Sequence, residues 1–251
     1  PEYRKLRKRW SLVEIVAQPE LCAEVTLQPV RRLGVDAAVM FADIMLPLRG
    51  MGVDFELVED VGPVLQRPIE SAADVERLRV PAGDEAAPAV ITAVRQVVAQ
   101  SPVPLICFSG APFTLASYLV EGRPSRDFKK VKSFMYKQPA AFEQLLAKLA
   151  ATMSGYLAAQ VAAGASAIQL FDSWVGALAV EDYEERVLPH TRSIFEALAP
   201  LGVPRVHFGT HTASLLELIA STGPDIVSLD WRVPLDRGWE RVGADRGIQG
   251  N

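Results

Sequence analysis

Asp43, Ser109, Asp172, Ser173, Thr210, His211 and Asp230 are the residues whose types and placement point to chemistry. Each lies just past, or at the end of, a short apolar run: Ala37–Phe41, Leu105–Phe108, Ala167–Phe171, Arg205–Phe208 and Asp225–Leu229. Carboxylates, hydroxyls and an imidazole brought to one edge can bind an organic substrate, move protons and stabilise a developing charge. Asp43 is the sharpest case. It stands in the stretch Asp36–Glu56, DAAVMFADIMLPLRGMGVDFE, where the apolar run gives way to Pro47 and Gly50. Two readings fit that spacing: a catalytic acid delivered by a strand to a loop mouth, and an N-terminal cap of the following turn.

The elements that must position these groups alternate. The apolar runs have the length of buried strands. Helices are predicted over Leu12–Ala17, Glu20–Leu33 (closed by Gly34), Ser71–Leu78 with a Ser cap, Pro88–Gln100, Pro139–Ala163 (closed by Gly164), Glu181–Leu198 and Ala213–Ser221. Phe55–Leu65 reads as an irregular hairpin, and Gly247–Asn251 as the start of a further strand. Strand and helix in alternation imply βα units and a parallel sheet. Polar residues at so many strand ends favour a barrel over an open doubly wound sheet, whose sites gather at a switch point. With no composition shift along 251 residues, one domain spanning 1–251 is expected.

Composition narrows the function. Hydrophobic residues make up 49% of the chain, enough for a sizeable core, and the net charge of −4 argues against a general nucleic-acid or anionic-membrane binder. Arg4, Lys5, Arg7, Lys8 and Arg9 crowd the segment Pro1–Trp10, which reads as a solvated arm. Two isolated cysteines, Cys22 and Cys107, make neither a disulfide framework nor a zinc ribbon and fit a reducing cytoplasm. The uncharged run Ser101–Val120 is broken by Pro102, Pro104, Gly110 and Pro112. The run Leu149–Phe171 carries Gln160, Gln169 and a helix-stopping Gly164, so no membrane segment is expected. There is no GxGxxG after a strand, no Walker A loop and no GxSxG elbow. His207 and His211 are four apart, but one falls in a strand and the other in a turn, with no cysteine near, so no metal site is expected.

PEYRKLR, LQPVRRLGVDAAVMFADIMLPLRGMG, GPVL, FSGAPFTLASYLVEG, PSRDF, IQLFDSWVG and LDWRVPL together resemble the uroporphyrinogen decarboxylases, in order and over nearly the whole chain. The resemblance implies a TIM-type (β/α)8 barrel, incomplete at both ends in this chain. It also implies a homodimer and a reaction that needs no metal or prosthetic group: removal of carbon dioxide from the acetate side chains of uroporphyrinogen, giving coproporphyrinogen in tetrapyrrole (haem) biosynthesis. By resemblance Asp43 is the central carboxylate beneath the pyrrole N–H groups. Tyr118, Ser173 and Arg7 bind substrate, and Gly110 and Phe113 line the pocket.

The chain departs from the family pattern at several places. An Arg-Gln-Ala-Gly-Arg stretch expected upstream and a late histidine on the last barrel strand are not in this sequence, so a longer natural protein is expected. Arg123 stands where glycine is usual, and GTHTASLL replaces a more glycine-rich turn. The second enzyme reading is the related zinc-dependent methyltransferases of the same fold. They need a thiolate near a histidine, whereas His207 is followed by Phe208 and Gly209. A non-enzymatic, assembly-only form is the remaining alternative.

Overall fold

The structure, a computed structural model, describes residues 2–58 and 60–250. Pro1, Glu59 and Asn251, which fall inside three predicted segments, lie outside the described residues. The chain enters through α1 (Glu2–Arg7), α2 (Leu12–Ala17) and α3 (Pro19–Leu33), then forms the short strand β1 (Ala38–Val39). A 3-10 turn, Leu46–Arg49, leads into an antiparallel hairpin of β2 (Phe55–Val58) and β3 (Gly62–Leu65). Next come α4 (Ala72–Glu76), α5 (Pro88–Gln100) and β4 (Leu105–Gly110), followed by α6 (Pro112–Glu121), α7 (Lys129–Lys137) and α8 (Pro139–Ala162). Strand β5 (Ala167–Asp172) precedes α9 (Val180–Arg186) and α10 (Leu188–Leu198). The chain closes with β6 (Arg205–Gly209), α11 (Leu216–Ser221), β7 (Ile226–Ser228), α12 (Leu235–Val242) and β8 (Gly247–Gln249).

Six strands form one parallel sheet in the order β1-β4-β5-β6-β7-β8, so each new strand is laid beside the previous one on the same side. That uniform progression is the winding of an α/β barrel, and it puts the C-terminal ends of all the strands on one rim. Among the described residues β1 and β8 do not pair with each other, which leaves the sheet open between them.

Local chemistry sets the boundaries. Ser11 and Ser71 each make a reciprocal capping box, with Glu14 and Asp74 respectively. Pro19, Pro88, Pro112 and Pro139 open their helices, where a missing N–H costs nothing. The core has two parts. One gathers α6, α7, α8 and α10 over the sheet, with Phe113, Leu149 and Met153 fully buried; the other packs α3 and α5 on β1 and β4 through Cys22, Val94 and Cys107.

Several predicted segments change. Residues 2–7 form a helix that has no buried residue, so the segment is solvated as expected but ordered, with Tyr3 edge-on to Phe41 at 5.6 Å. The helix predicted over Glu181–Leu198 is two, α9 and α10, since Pro189 cannot donate a backbone hydrogen bond across the junction at Val187. The helix predicted from Ala213 begins at Leu216, and the apolar run before Asp43 pairs only over Ala38–Val39. Helices α6, α7 and α12 were not predicted from the sequence.

Candidate active site

Asp43 sits between β1 and the Leu46–Arg49 turn, half-buried. Its Oδ1 accepts the Met45 N–H at 2.8 Å, and its carbonyl accepts from Leu46 N–H. That bond closes a local turn over residues 43–45 and is not a helix cap, since Met45 is the cap of the Leu46–Arg49 turn and has no side-chain cap bond. Among the described residues the carboxylate makes no other hydrogen bond, so Oδ2 remains for a ligand. Burial pushes the carboxyl above its ordinary value, and the Met45 N–H pulls against that rise.

A cleft of about 650 Å³ opens beside Asp43. One wall is Arg7, Lys8, Arg9, Trp10, Ser11 and Leu12; the other is the hairpin residues Leu57, Val58, Asp60, Val61, Gly62 and Pro63. Arg7 is half-buried and donates from Nη1 to the Trp10 carbonyl at 3.1 Å, which holds the end of α1 over the cleft. Three cations and two acids, half-buried Asp43 and exposed Asp60, line the cleft, a net positive surround that suits a polyanionic ligand carrying donors or positive charge at its centre.

Tyr118, on α6, is half-buried and is not among the residues that line the cleft. It lies edge-on to Trp174, with ring centroids 6.0 Å apart, and Trp174 in turn leans on Phe128 at 5.5 Å. Burial raises the Tyr118 hydroxyl above its usual pKa, hydrogen bonding from the Trp174 side chain lowers it, and the negative field of Asp43 raises it further. Ser173 follows β5 and is half-buried; its carbonyl accepts the Thr210 hydroxyl, tying the loop after β5 to the loop after β6. Gly176 enforces the same approach, since a Cβ there would meet the Thr210 carbonyl oxygen at 2.3 Å.

Gly110 and Phe113 lie behind this surface. A Cβ on Gly110 would fall 2.7 Å from Leu115 and 3.3 Å from Ile44, so the glycine is required by helix packing over the end of β4. Phe113 is wholly buried in the larger core. Arg123 is exposed beside Gly122 and is not among the residues that line the cleft. The two histidines are not brought together: His207 is fully buried beside Thr222, whereas His211 is exposed at a left-handed φ of 59°. Among the described residues no group of three or more His, Cys, Asp or Glu is arranged to hold a metal ion.

Sequence reasoning missed Thr114 and Trp174. The Thr114 hydroxyl donates to Asp172 at 2.9 Å and accepts the Trp174 N–H at 3.1 Å. The available signal was a threonine one turn into the helix that follows a polar strand end. Asp230, which was singled out, is occupied structurally. Burial would raise its carboxyl, but hydrogen bonds from His211 N–H, Arg232 N–H and the Arg232 guanidinium hold it below the ordinary value.

Fold and site define an α/β-barrel protein with a half-buried acid at its mouth and cations around it. The whole chain, residues 1–251, matches the family model described as uroporphyrinogen decarboxylase. It is 51% identical over 252 residues to the uroporphyrinogen decarboxylase of Carboxydothermus hydrogenoformans, covering 100% of this chain and 72% of that protein. It is 52% identical over 249 residues to one from Thermus thermophilus, covering 99% and 73%. The chain belongs to the uroporphyrinogen decarboxylase family. Among solved structures, a methyltransferase from Methanosarcina mazei superposes with a TM-score of 0.79 at 20% identity, over 94% of this chain and 70% of that one, a likeness of fold alone.

Proposed function

We propose that this protein decarboxylates the acetate side chains of uroporphyrinogen, yielding coproporphyrinogen for tetrapyrrole biosynthesis, with Asp43 at the centre of the mechanism. The observation that carries this reading is a half-buried carboxylate with one uncommitted oxygen, facing a cleft walled by Arg7, Lys8 and Arg9.

Uroporphyrinogen is a flexible macrocycle with inward pyrrole N–H groups and carboxylates around its rim. Asp43 Oδ2 accepts the N–H donors, while cations on the wall take the rim carboxylates. Protonation of a pyrrole carbon makes that ring a cation. The bond between the acetate methylene and its carboxylate then breaks, carbon dioxide leaves, and the electron pair flows into the ring. A proton returns to the methylene to give a methyl group, and the first proton is lost from the ring. Net, one proton replaces one carbon dioxide. The protonated ring is itself the electron sink, and the anionic Asp43 lowers the energy of that cation.

In this reading Tyr118 hydrogen-bonds a substrate carboxylate and Ser173 contacts a propionate. Arg7 clamps a carboxylate, and Gly110 and Phe113 shape the wall from behind. The protein acts as one barrel domain, in the cytoplasm and as a homodimer. Exposed Trp231, Leu235 and Trp239 offer apolar surface for a partner copy, and no helix among the described residues is long and apolar enough to cross a membrane. The test is incubation with uroporphyrinogen under reducing conditions, with coproporphyrinogen as the expected product. Folded protein that leaves the substrate unchanged would overturn the assignment.

A further inference from the structure

The cleft is backed by a chain of buried polar groups to which no step above gives a role. Thr114, Asp172 and His207 are each fully buried, on α6, β5 and β6 respectively. A buried carboxylate is costly unless it is hydrogen-bonded, and Asp172 meets that need at one oxygen only: among the described residues Oδ2 and the facing His207 Nε2 have no hydrogen-bond partner, while the bond at Oδ1 runs toward Trp174. Asp172 Oδ1 accepts the Thr114 hydroxyl proton at 2.9 Å. Because that proton is committed, the Thr114 oxygen meets the Trp174 N–H only as an acceptor, at 3.1 Å. The direction of both bonds is thus set by chemistry. On the far side, Asp172 Oδ2 lies 3.6 Å from His207 Nε2, and His207 Nδ1 lies 3.3 Å from the Thr222 hydroxyl. The Thr222 hydroxyl donates to the Ile219 carbonyl at 2.7 Å, which ties the chain to α11.

What this chain holds is the backbone of Trp174, the residue next to Ser173. The indole is wedged between Tyr118, edge-on at 6.0 Å, and Phe128 at 5.5 Å. Phe128 is itself kept in a left-handed conformation at φ 54°, a geometry that a bulky residue adopts only when its surroundings require it. The aromatic trio therefore has little freedom to rearrange. Displacing the Trp174 backbone displaces the ring that packs edge-on against Tyr118.

We propose that Thr114, anchored by Asp172, is a positioning residue of the active site: it fixes Trp174 so that the indole holds the Tyr118 ring in place. Neither Thr114 nor Asp172 touches substrate. Their effect passes through Trp174, and a misplacement of a reactive group by about 1 Å is enough to cost on the order of a hundredfold in rate. The catalytic meaning rests on the decarboxylase reading, whereas the positioning of Tyr118 does not.

The test replaces Thr114 with valine, which keeps shape and loses the hydroxyl, and with serine, which keeps it. Protein labelled with 13Cζ-tyrosine reports Tyr118 without substrate, its resonance assigned by loss in Tyr118→Phe. Thr114→Val is expected to move the Tyr118 resonance and its alkaline titration, and to lower kcat about tenfold or more with a smaller change in KM. Thr114→Ser restores both. A folded Thr114→Val protein whose Tyr118 resonance is unmoved overturns the proposal, even if its melting temperature falls. A moved resonance with unchanged kcat overturns its catalytic part. Should Thr114→Val fail to fold, Trp174→Phe decides: it must shift the same resonance, and an unshifted one overturns the link. Wild-type protein that forms no coproporphyrinogen would sink the decarboxylase reading alone, leaving the tyrosine measurement to judge the positioning.

Discussion

At the scale of single residues, Asp43 is asked to do two things at once. Oδ1 accepts the Met45 N–H, which fixes the carboxylate plane, and in the proposed mechanism Oδ2 takes the ligand. Burial favours the neutral acid, so keeping the anion ready costs stability. Asp43→Asn keeps the shape and the acceptor for Met45 N–H but removes the charge. Turnover is expected to fall at least about a hundredfold, in line with loss of one preorganised electrostatic group, while the melting temperature at neutral pH holds or rises. Near-normal turnover would remove Asp43 from the mechanism. The wild-type profile of kcat/KM against pH follows from the same burial. The productive form is the anion, and its pKa is raised, so activity is lost on acidification at a pH above the ordinary aspartate value of 3.8. An acid limb at or below that value would mean that another group controls it.

At the scale of elements, caps carry a measurable share of order. Ser71 and Asp74 close a reciprocal box at the start of α4, with Ser71 Oγ to Asp74 Oδ2 at 2.7 Å and Ser71 N–H to the same oxygen at 2.8 Å. Ser71→Ala is expected to cost about 1 kcal/mol, or roughly 2–4 °C in melting temperature for a domain of this size. Asp74→Ala should cost a similar amount, with the double variant costing less than the sum because both remove one interaction. By contrast, Leu149→Ala in the middle of α8 opens a void in the larger core and is expected to cost about 2–5 kcal/mol in chemical denaturation. What was legible from sequence divides along the same line. Ser71, Pro88 and Pro139 announce their helices because capping and ring chemistry act over a few residues. Helix α6 stayed hidden because PFTLASYLVE is apolar on nearly every face, as suits a helix enclosed on all sides, and so shows no amphipathic stripe. α7 begins at Phe128 in a left-handed conformation that only tertiary contacts explain. The site follows the same rule. Asp43 was visible from its place after a strand, whereas Thr114 depends on a bond to Asp172, 58 residues away.

At the scale of the whole molecule, the titrating groups pull in opposite directions and their balance can be read. Asp225 is held below its ordinary value first by the Arg205 guanidinium, which grips both its oxygens at 2.9 Å and so joins the start of β6 to the start of β7. Glu217 is lowered first by Arg241, both contacts at 2.7 Å, which ties α11 to α12. Asp74 is lowered to about 2, first by the Ser71 hydroxyl, and Asp230 lies below its ordinary value once its hydrogen bonds outweigh burial. For each of these the folded state binds the proton more weakly than the unfolded chain. The stabilisation is complete above the ordinary carboxylate value and is lost as pH falls through the folded one. Asp43 has the opposite sign: protonation relieves a burial penalty, so acid stabilises that position. Four lowered carboxylates spread over the C-terminal half of the sheet and α4 outnumber the single raised one at the site. The urea midpoint is therefore expected to fall steadily on acidification through the window between 3.8 and about 2 that Asp74 defines. Asp43→Asn, lacking the one opposing group, should fall more steeply from a neutral-pH midpoint at or above wild type. A midpoint that stays flat through that window would show that these pairs contribute nothing to the folded state, as exposed ion pairs sometimes do, and would leave hydrophobic burial alone to account for stability.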